Sequence, residues 1–463
     1  RDRSPSRGLG DVYKRQEMFF KNKSFSPYMT ILLSFVIVTV LGGILLSLPI
    51  SVNYGKSVKL IDGFFIATSA ICVTGLSSID IGSVYNTFGQ IIILILIQLG
   101  GLGVITFTSV IIIMISKKIG YYTKKIVQED INIDTTFRIE EYVKKVIFSV
   151  ILIEFIGAVV LFFEFIKRFS FFKAVYYSLF HSVSAFCNAG FALFSDNLYG
   201  FKNSFLINIT IPLLIFLGGI GFSTILNCYN VFTKKEKRLT LTTKLSIKIS
   251  IFLIIAGTFA MFILEYSNKS TIGNLSFVQK LEASFFQSVS TRTAGFNTIS
   301  ILGLKRSTSL LFIILMFIGA SPGSTGGGIK TTTLGLIVLG TLATLKNKDA
   351  VEYDKRSISW RIYSKAIAIL FISLIYTVIC VFLLILFERN KNFLDLAFEV
   401  YSAFGTVGLS RDLTPSLSDI SKFILIVTMF VGRVGPLTIT LALSKSNLKK
   451  GHYTYPQENI LIG

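Results

Sequence analysis

The chain is poor in the groups that soluble catalysts rely on. Its 463 residues include two histidines, four cysteines, one tryptophan and only 25 acidic residues. His181 and His452 are far apart in the sequence, so no histidine-based metal site or triad is available. Cys72, Cys187, Cys228 and Cys380 lie inside apolar stretches with no metal-ligand spacing, and read as small packing residues. No HExxH pattern or acid–histidine arrangement occurs near a membrane face, which argues against a membrane hydrolase. Charged residues make up 15% of the chain, too few for a soluble protein of this size.

Apolar length is what the chain has instead. Hydrophobic residues account for 52%, and the mean hydropathy is +0.68. Stretches such as 31–48 (ILLSFVIVTVLGGILLSL) approach the roughly 20 apolar residues that cross a bilayer. The expectation is an all-α polytopic membrane protein. The net charge of +21 is distributed by loop, which weighs against nucleic acid as a partner. Basic clusters follow alternate long segments: Lys117, Lys118, Lys124 and Lys125; Lys234, Lys235, Lys237 and Arg238; Lys346, Lys348, Lys355 and Arg356; Lys445, Lys449 and Lys450. The excess of lysine and arginine in cytoplasmic loops puts these regions and both termini on the cytoplasmic side of the membrane.

Gly75, Gly190, Gly295 and Gly408 recur at intervals of 115, 105 and 113 residues (190−75, 295−190, 408−295), in the contexts SAICVTGL, SAFCNAGF, VSTRTAGF and SAFGTVGL. A fixed long period means one unit used four times. Long apolar segments near 30–48, 88–115, 146–166, 205–232, 245–266, 308–344, 362–387 and 420–444 alternate with shorter ones at 62–72, 174–187, 282–292 and 395–405. The short segments cannot cross, and read as re-entrant half-helices. The expected architecture is eight transmembrane helices plus four half-helices in four pseudo-symmetric helix–pore loop–helix units. The units are 18–120, 121–240, 241–350 and 351–450. Residues 1–17 read as a disordered leader or assembly scar, and 451–463 as a C-terminal tail. Thirteen residues before three of the glycines stand Asp62, Glu282 and Asp395, with Tyr177 in the second unit; the acids are expected to open and cap the half-helices.

Irregular backbone at membrane depth survives only inside protein or beside a water-filled cavity. Extended strands after the half-helices would turn carbonyl oxygens inward, and a ring of carbonyls can replace the hydration shell of a monovalent cation. The sixth long segment is broken by GASPGSTGGGIKTTT at 319–333. It resembles a phosphate loop, but Ile329 intrudes before Lys330 and spoils the spacing. Arg433 stands among small residues in the last helix, where the other units carry Gly101, Gly219 and Ala320. A charge at that depth is costly unless paired or hydrated. Arg292 is expected to brace its half-helix; Glu154, Glu164 and Glu265 are expected to be paired or interfacial.

These repeats resemble the Ktr/Trk/HKT superfamily of potassium transporters over residues 25–450. With no additional spanning pair before the first unit, they are more similar to its KtrB-like branch than to the TrkH-like one. The resemblance implies potassium uptake through a central pore, with sodium dependence open. It implies a selectivity filter at Val73, Thr74 and Gly75, at Asn188, Ala189 and Gly190, at Thr293, Ala294 and Gly295, and at Thr406, Val407 and Gly408, with K+ at the backbone carbonyls. Each strand keeps one glycine and differs from TVGYG, so looser selectivity is expected. The resemblance also implies an intramembrane gate at Gly319, Ala320, Ser321, Pro322, Gly323, Ser324, Thr325, Gly326, Gly327, Gly328 and Lys330. Arg433 would sit below the filter, repelling cations or holding the loop through carbonyl contacts. The implied partners are a second copy in a homodimer, a ring of cytosolic nucleotide-binding regulatory subunits (KtrA-like), and membrane lipid; no organic cofactor is expected. The alternative is an alternating-access secondary transporter for sodium or another cation, although such folds show two-fold inverted repeats.

Overall fold

The computed structural model describes residues 27–103 and 139–435. The leader at 1–17, the basic clusters at 117–125 and 445–450, the last part of the eighth apolar segment and the tail at 451–463 lie outside the described residues.

One arrangement recurs four times along the chain: a long helix, a half-length helix, a glycine turn and a further helix. The long helices are α1 (Pro27–Ser47), α4 (Ile139–Phe165), α8 (Leu241–Glu265) and α12 (Trp360–Phe387). The half-length helices are α2 (Leu60–Ile71), α5 (Phe171–Phe186), α9 (Phe277–Ser290) and α13 (Phe393–Gly405). The last member is α3 (Thr87–Leu102) in the first unit and α14 (Asp419–Val434) in the fourth. In the second it is the pair α6 (Phe205–Gly219) and α7 (Phe222–Phe232), and in the third the pair α10 (Arg306–Phe317) and α11 (Thr331–Leu345). A two-stranded antiparallel hairpin, β1 (Val351–Tyr353) with β2 (Arg356–Ile358), joins the third unit to the fourth.

Among the described residues, α1, α4, α8 and α12 are long and apolar enough to cross a membrane. The bent pair α6 and α7 makes a fifth if counted as one span. The four long helices are apolar around their whole circumference, as in lipid-facing helices. Their outer faces leave Leu41, Phe148, Phe155, Phe252, Phe371 and Phe382 exposed.

Several helix starts follow from local chemistry. Asn86, Ser204, Thr240, Asn392 and Ser418 each accept a first-turn amide with the side chain, and Ser276 forms a capping box with Gln279. The acids expected to open the half-helices do not cap them. Asp62 and Asp395 lie in the first turn, behind Lys59 and Asn392, and both face cations; Glu282 lies in mid-helix because α9 begins at Phe277, five residues earlier.

The inner segment at 205–232 also differs from the continuous run expected there, while the runs expected at 88–115 and 420–444 extend past the described residues. The α6–α7 pair bends by 96°. The bend falls at Gly221, with φ of +97°, and Gly103 and Gly435, the residues after α3 and α14, have φ of +85° and +90°. Glycine tolerates this left-handed backbone without a Cβ penalty. Hydropathy is blind to such a bend because the helices on both sides of it are apolar on average.

The four units close into a ring. Each half-length helix packs on the last helix of the preceding unit: α5 on α3, α9 on α6, α13 on α10, and α2 on α14. Polar contacts pin the seams. Ser195 Oγ donates to Asp80 at 2.6 Å between the first and second units. Asn197 Nδ2 donates to the Gly295 carbonyl at 3.4 Å between the second and third. Arg411 pairs with Asp395 at 2.6 Å and donates to Ser309 Oγ at 2.7 Å between the third and fourth. Lys422 meets Asp62 at 2.8 Å where the fourth unit joins the first, 360 residues apart.

Candidate functional site

The C-terminal ends of α2, α5, α9 and α13 converge on the ring axis, and the four glycine turns follow them. Val73, Asn188, Thr293 and Thr406, each two residues before its glycine, take left-handed φ of 55°, 60°, 68° and 50°. The glycines have φ of 90°, 70°, 74° and 90°, while Thr74, Ala189, Ala294 and Val407 between them stay out of that region. Alternating the backbone hand turns successive peptide planes the same way. Each left-handed non-glycine residue costs about 1–2 kcal/mol, and such strain concentrates at functional sites.

The four turns touch in cyclic order. A methyl carbon built on Gly75 would overlap the Ala189 carbonyl oxygen and lie 3.2 Å from the Gly190 Cα. The same methyl on Gly190 meets Ala294 and Gly295, on Gly295 it meets Val407 and Gly408, and on Gly408 it meets Thr74 and Gly75. The structure thus brings Thr74, Gly75, Ala189, Gly190, Ala294, Gly295, Val407 and Gly408 into one closed ring of contacts. Behind the strands stand serines that sequence reasoning missed. Ser69 and Ser402 each accept the glycine amide at 3.0 Å, while Ser184 and Ser290 donate to the Phe191 and Phe296 carbonyls. A signal existed, since Ser-Ala stands six residues before the glycine in three of the units. The third unit lacks that register: Ala294 N donates to the Ser290 carbonyl, one residue closer than the equivalent bond elsewhere.

On the side past the glycines lies an open cavity of about 530 Å³ lined by all four, with Asp80, Asp196 and Asp412 on its wall. On the other side lies the segment 318–330. Its backbone is stitched across the ring rather than to itself alone. Ser321 N and Thr325 N donate to the Gly219 and Gly218 carbonyls, and Gly323 O accepts from Phe222 N at 2.8 Å. Gly328 N donates to the Gly432 carbonyl at 3.2 Å, and Gly327 N donates to Thr406 Oγ1 at 2.8 Å. Gly326 abuts the Thr293 side chain, so the segment lies directly against the ring. Lys330 Nζ reaches the Gly326 carbonyl at 2.7 Å.

Arg433 donates from Nη1 to the Thr325 carbonyl and from Nη2 to the Gly100 carbonyl. The expected carbonyl contact with the loop is present, and the second contact links the loop to α3. Arg292, just past the end of α9, ties that end to the Ser250 carbonyl of α8 at 3.0 Å and to the Gly319 carbonyl at the loop root at 3.3 Å. Cys187 packs against Gly101, with Glu154 and Gln98 beside it. Glu154 takes an amide hydrogen from Gln98 at 3.2 Å, and Glu164 pairs with Lys167 at 2.7 Å. Glu265 is fully buried and accepts from Lys305 N at 2.9 Å and Thr271 Oγ1 at 2.7 Å. Glu399, which sequence reasoning passed over, accepts from Ser410 and Thr414 in the fourth glycine turn. His181 stacks on Phe194 at 4.8 Å inside an aromatic cluster. No cluster of three metal-ligating side chains occurs among the described residues.

Comparison with known proteins gives a consistent picture. The chain is 38% identical to the Ktr system potassium uptake protein B of Bacillus subtilis, over 95% of this chain and 97% of that protein. It is 36% identical to the potassium/sodium uptake protein NtpJ of Enterococcus hirae, over 95% and 98% respectively. The crystal structure of the potassium transporter TrkH from Vibrio parahaemolyticus shares the fold, with a TM-score of 0.71 at 18% identity over 91% of this chain and 86% of that one. Residues 10–450 match the TrkH model, described as cation transport protein. With a helical, lipid-facing body and these matches across nearly its whole length, the chain belongs to the TrkH family of cation transport proteins.

Proposed function

We propose that this protein takes up potassium across the bacterial cell membrane through a central pore, with the glycine ring as selectivity filter. The observation that carries the reading is the cyclic contact of the four glycine turns, each with its backbone turned to the same hand pattern. A closed ring of backbone carbonyls recognises a dehydrated monovalent cation without any charged ligand. The C-terminal ends of the four half-length helices point at this ring, and their partial negative charge favours a cation there. The names of the relatives support potassium as the ion, and that of NtpJ supports sodium as a second.

The four units at 18–120, 121–240, 241–350 and 351–450 each contribute one outer helix, one re-entrant half-helix and one inner helix, making eight crossings with both termini cytoplasmic. The acidic cavity then faces outside and gathers cations. The segment 319–330 closes the inner end, held by Arg433. The protein works as a homodimer with a cytosolic nucleotide-binding ring on its basic face; the name Ktr system, carried by a relative, supports a system of several components. Such a ring would act by moving the loop.

Potassium uptake in a bacterial strain without its own potassium systems, with and without a co-expressed regulatory subunit, tests the reading. Growth at low potassium that is lost on Gly75→Ser is the expected result. The absence of rescue with protein present in the membrane refutes potassium as the ion.

A further inference from the structure

The peptide unit between Gly326 and Gly327 is held at both ends. Its carbonyl accepts from Lys330 Nζ at 2.7 Å, and its N–H donates to Thr406 Oγ1 at 2.8 Å. Thr406 is fully buried, lies in the fourth glycine turn and carries the left-handed φ of 50°. The ammonium polarises the peptide, which strengthens the hydrogen bond on its far side. The positive end of that peptide dipole therefore points into the inner end of the ring.

The four positions two residues before the glycines are not equivalent. Val73 offers no hydroxyl or amide. The Asn188 side-chain amide and the Thr293 hydroxyl are 2.9 Å apart and engage one another. Thr406 engages the loop. The hydroxyl of Thr406 is thus the point where the ring side chains and the loop backbone are bonded directly.

The geometry points to Thr406 as both the latch of the loop and a specificity-determining residue of the pore: its hydroxyl oxygen accepts the Gly327 N–H when the loop is seated and becomes a ligand for the transported cation when the loop leaves. This rests on the reading of the glycine ring as filter. A hydroxyl oxygen has two lone pairs and coordinates a monovalent cation as readily as a carbonyl does. Seating the loop does more than obstruct the passage, since it withdraws one oxygen from the inner ring and presents a donor where a cation would stand. Lys330 acts only through the peptide it polarises, so it is a positioning residue and no ligand.

The full-length protein in liposomes tests this, with potassium and sodium flux measured separately and without any regulatory subunit. Thr406→Val keeps the shape and removes the hydroxyl. It should raise basal potassium flux about fivefold, the population change that one hydrogen bond of about 1 kcal/mol controls. It should also lower the potassium-to-sodium flux ratio, because an oxygen ligand is gone. Thr406→Ser keeps the hydroxyl and should restore the flux ratio that Thr406→Val loses. Lys330→Met should raise basal flux and leave the ratio unchanged, which separates latch from ligand. If Thr406→Val matches the parent in flux and ratio while Gly75→Ser alters them, the latch is refuted and the filter reading stands. If Gly75→Ser also leaves the conducting parent unchanged, the filter reading fails, and the latch with it. A Thr406→Val chain that does not fold transfers the decision to Thr406→Ser against Thr406→Cys, where only a weakened oxygen-to-sulfur ligand changes the ratio; equal ratios refute the proposal.

Discussion

Removing the Lys422 ammonium should unseat the first unit from the fourth. Lys422 and Asp62 are 2.8 Å apart, with side chains only 8% and 9% exposed. At that separation their attraction is about 6 kcal/mol in an effective dielectric near 20. Several kcal/mol of lost hydration per ion offset this gain, so the pair adds little net stability. Breaking it is a different matter. Lys422→Met or Asp62→Asn leaves one buried charge uncompensated and should cost about 3–5 kcal/mol, about a hundredfold or more in the ratio of folded to unfolded protein. The double variant removes both charges and should recover most of the loss. Denaturation midpoints in detergent for the four proteins give the coupling energy, expected on the order of 3 kcal/mol. Additive losses, with the double variant as damaged as the sum of the singles, would refute the view that this pair closes the ring.

Further outcomes follow from the same contacts. Arg433→Ala removes two charge-assisted bonds from the loop and should raise basal cation flux in liposomes by about tenfold or more, whereas reduced flux in folded protein would count against a holding role. The hairpin carboxylates of Asp354 and Glu352 are held below their ordinary range by hydrogen bonds from Lys244 and Lys348. A lowered folded pKa means these pairs persist at neutral pH and are lost only as pH falls through that lowered value. Trp360, whose indole donates to the Asp349 carbonyl at 2.7 Å beside the hairpin, is the chain's single tryptophan. Its emission should therefore hold steady from pH 7 to about pH 5 and shift only below. A shift inside that window would show that other groups control the hairpin.

Much of the site was legible along the chain. The four glycines, the half-length segments before them and the break after residue 318 all depend on local chemistry, which repeats at a constant period. Arg433 stood out because its three counterparts are small. The structure then placed the four glycines and the residues before them in mutual contact and set the segment 318–330 against them. The half-helix acids were misread because a carboxylate in a first turn looks the same in sequence whether it caps its own helix or pairs with a lysine 360 residues away. The partners of Arg292 were illegible for the same reason: they are carbonyls on α8 and at the loop root, 42 and 27 residues distant. Backbone carbonyls carry no sequence signature.

The sequence by itself determined the class of solvent, the four-fold repetition and the backbone freedom at the repeated glycines, because hydropathy, period and the missing Cβ are properties of residues alone. Only the tertiary structure decided that the repeats close on themselves, which polar groups pin each seam, and that one threonine of the fourth strand bonds to the loop. Those choices depend on distances between segments that the chain keeps a hundred or more residues apart, and no local pattern encodes a distance of that kind.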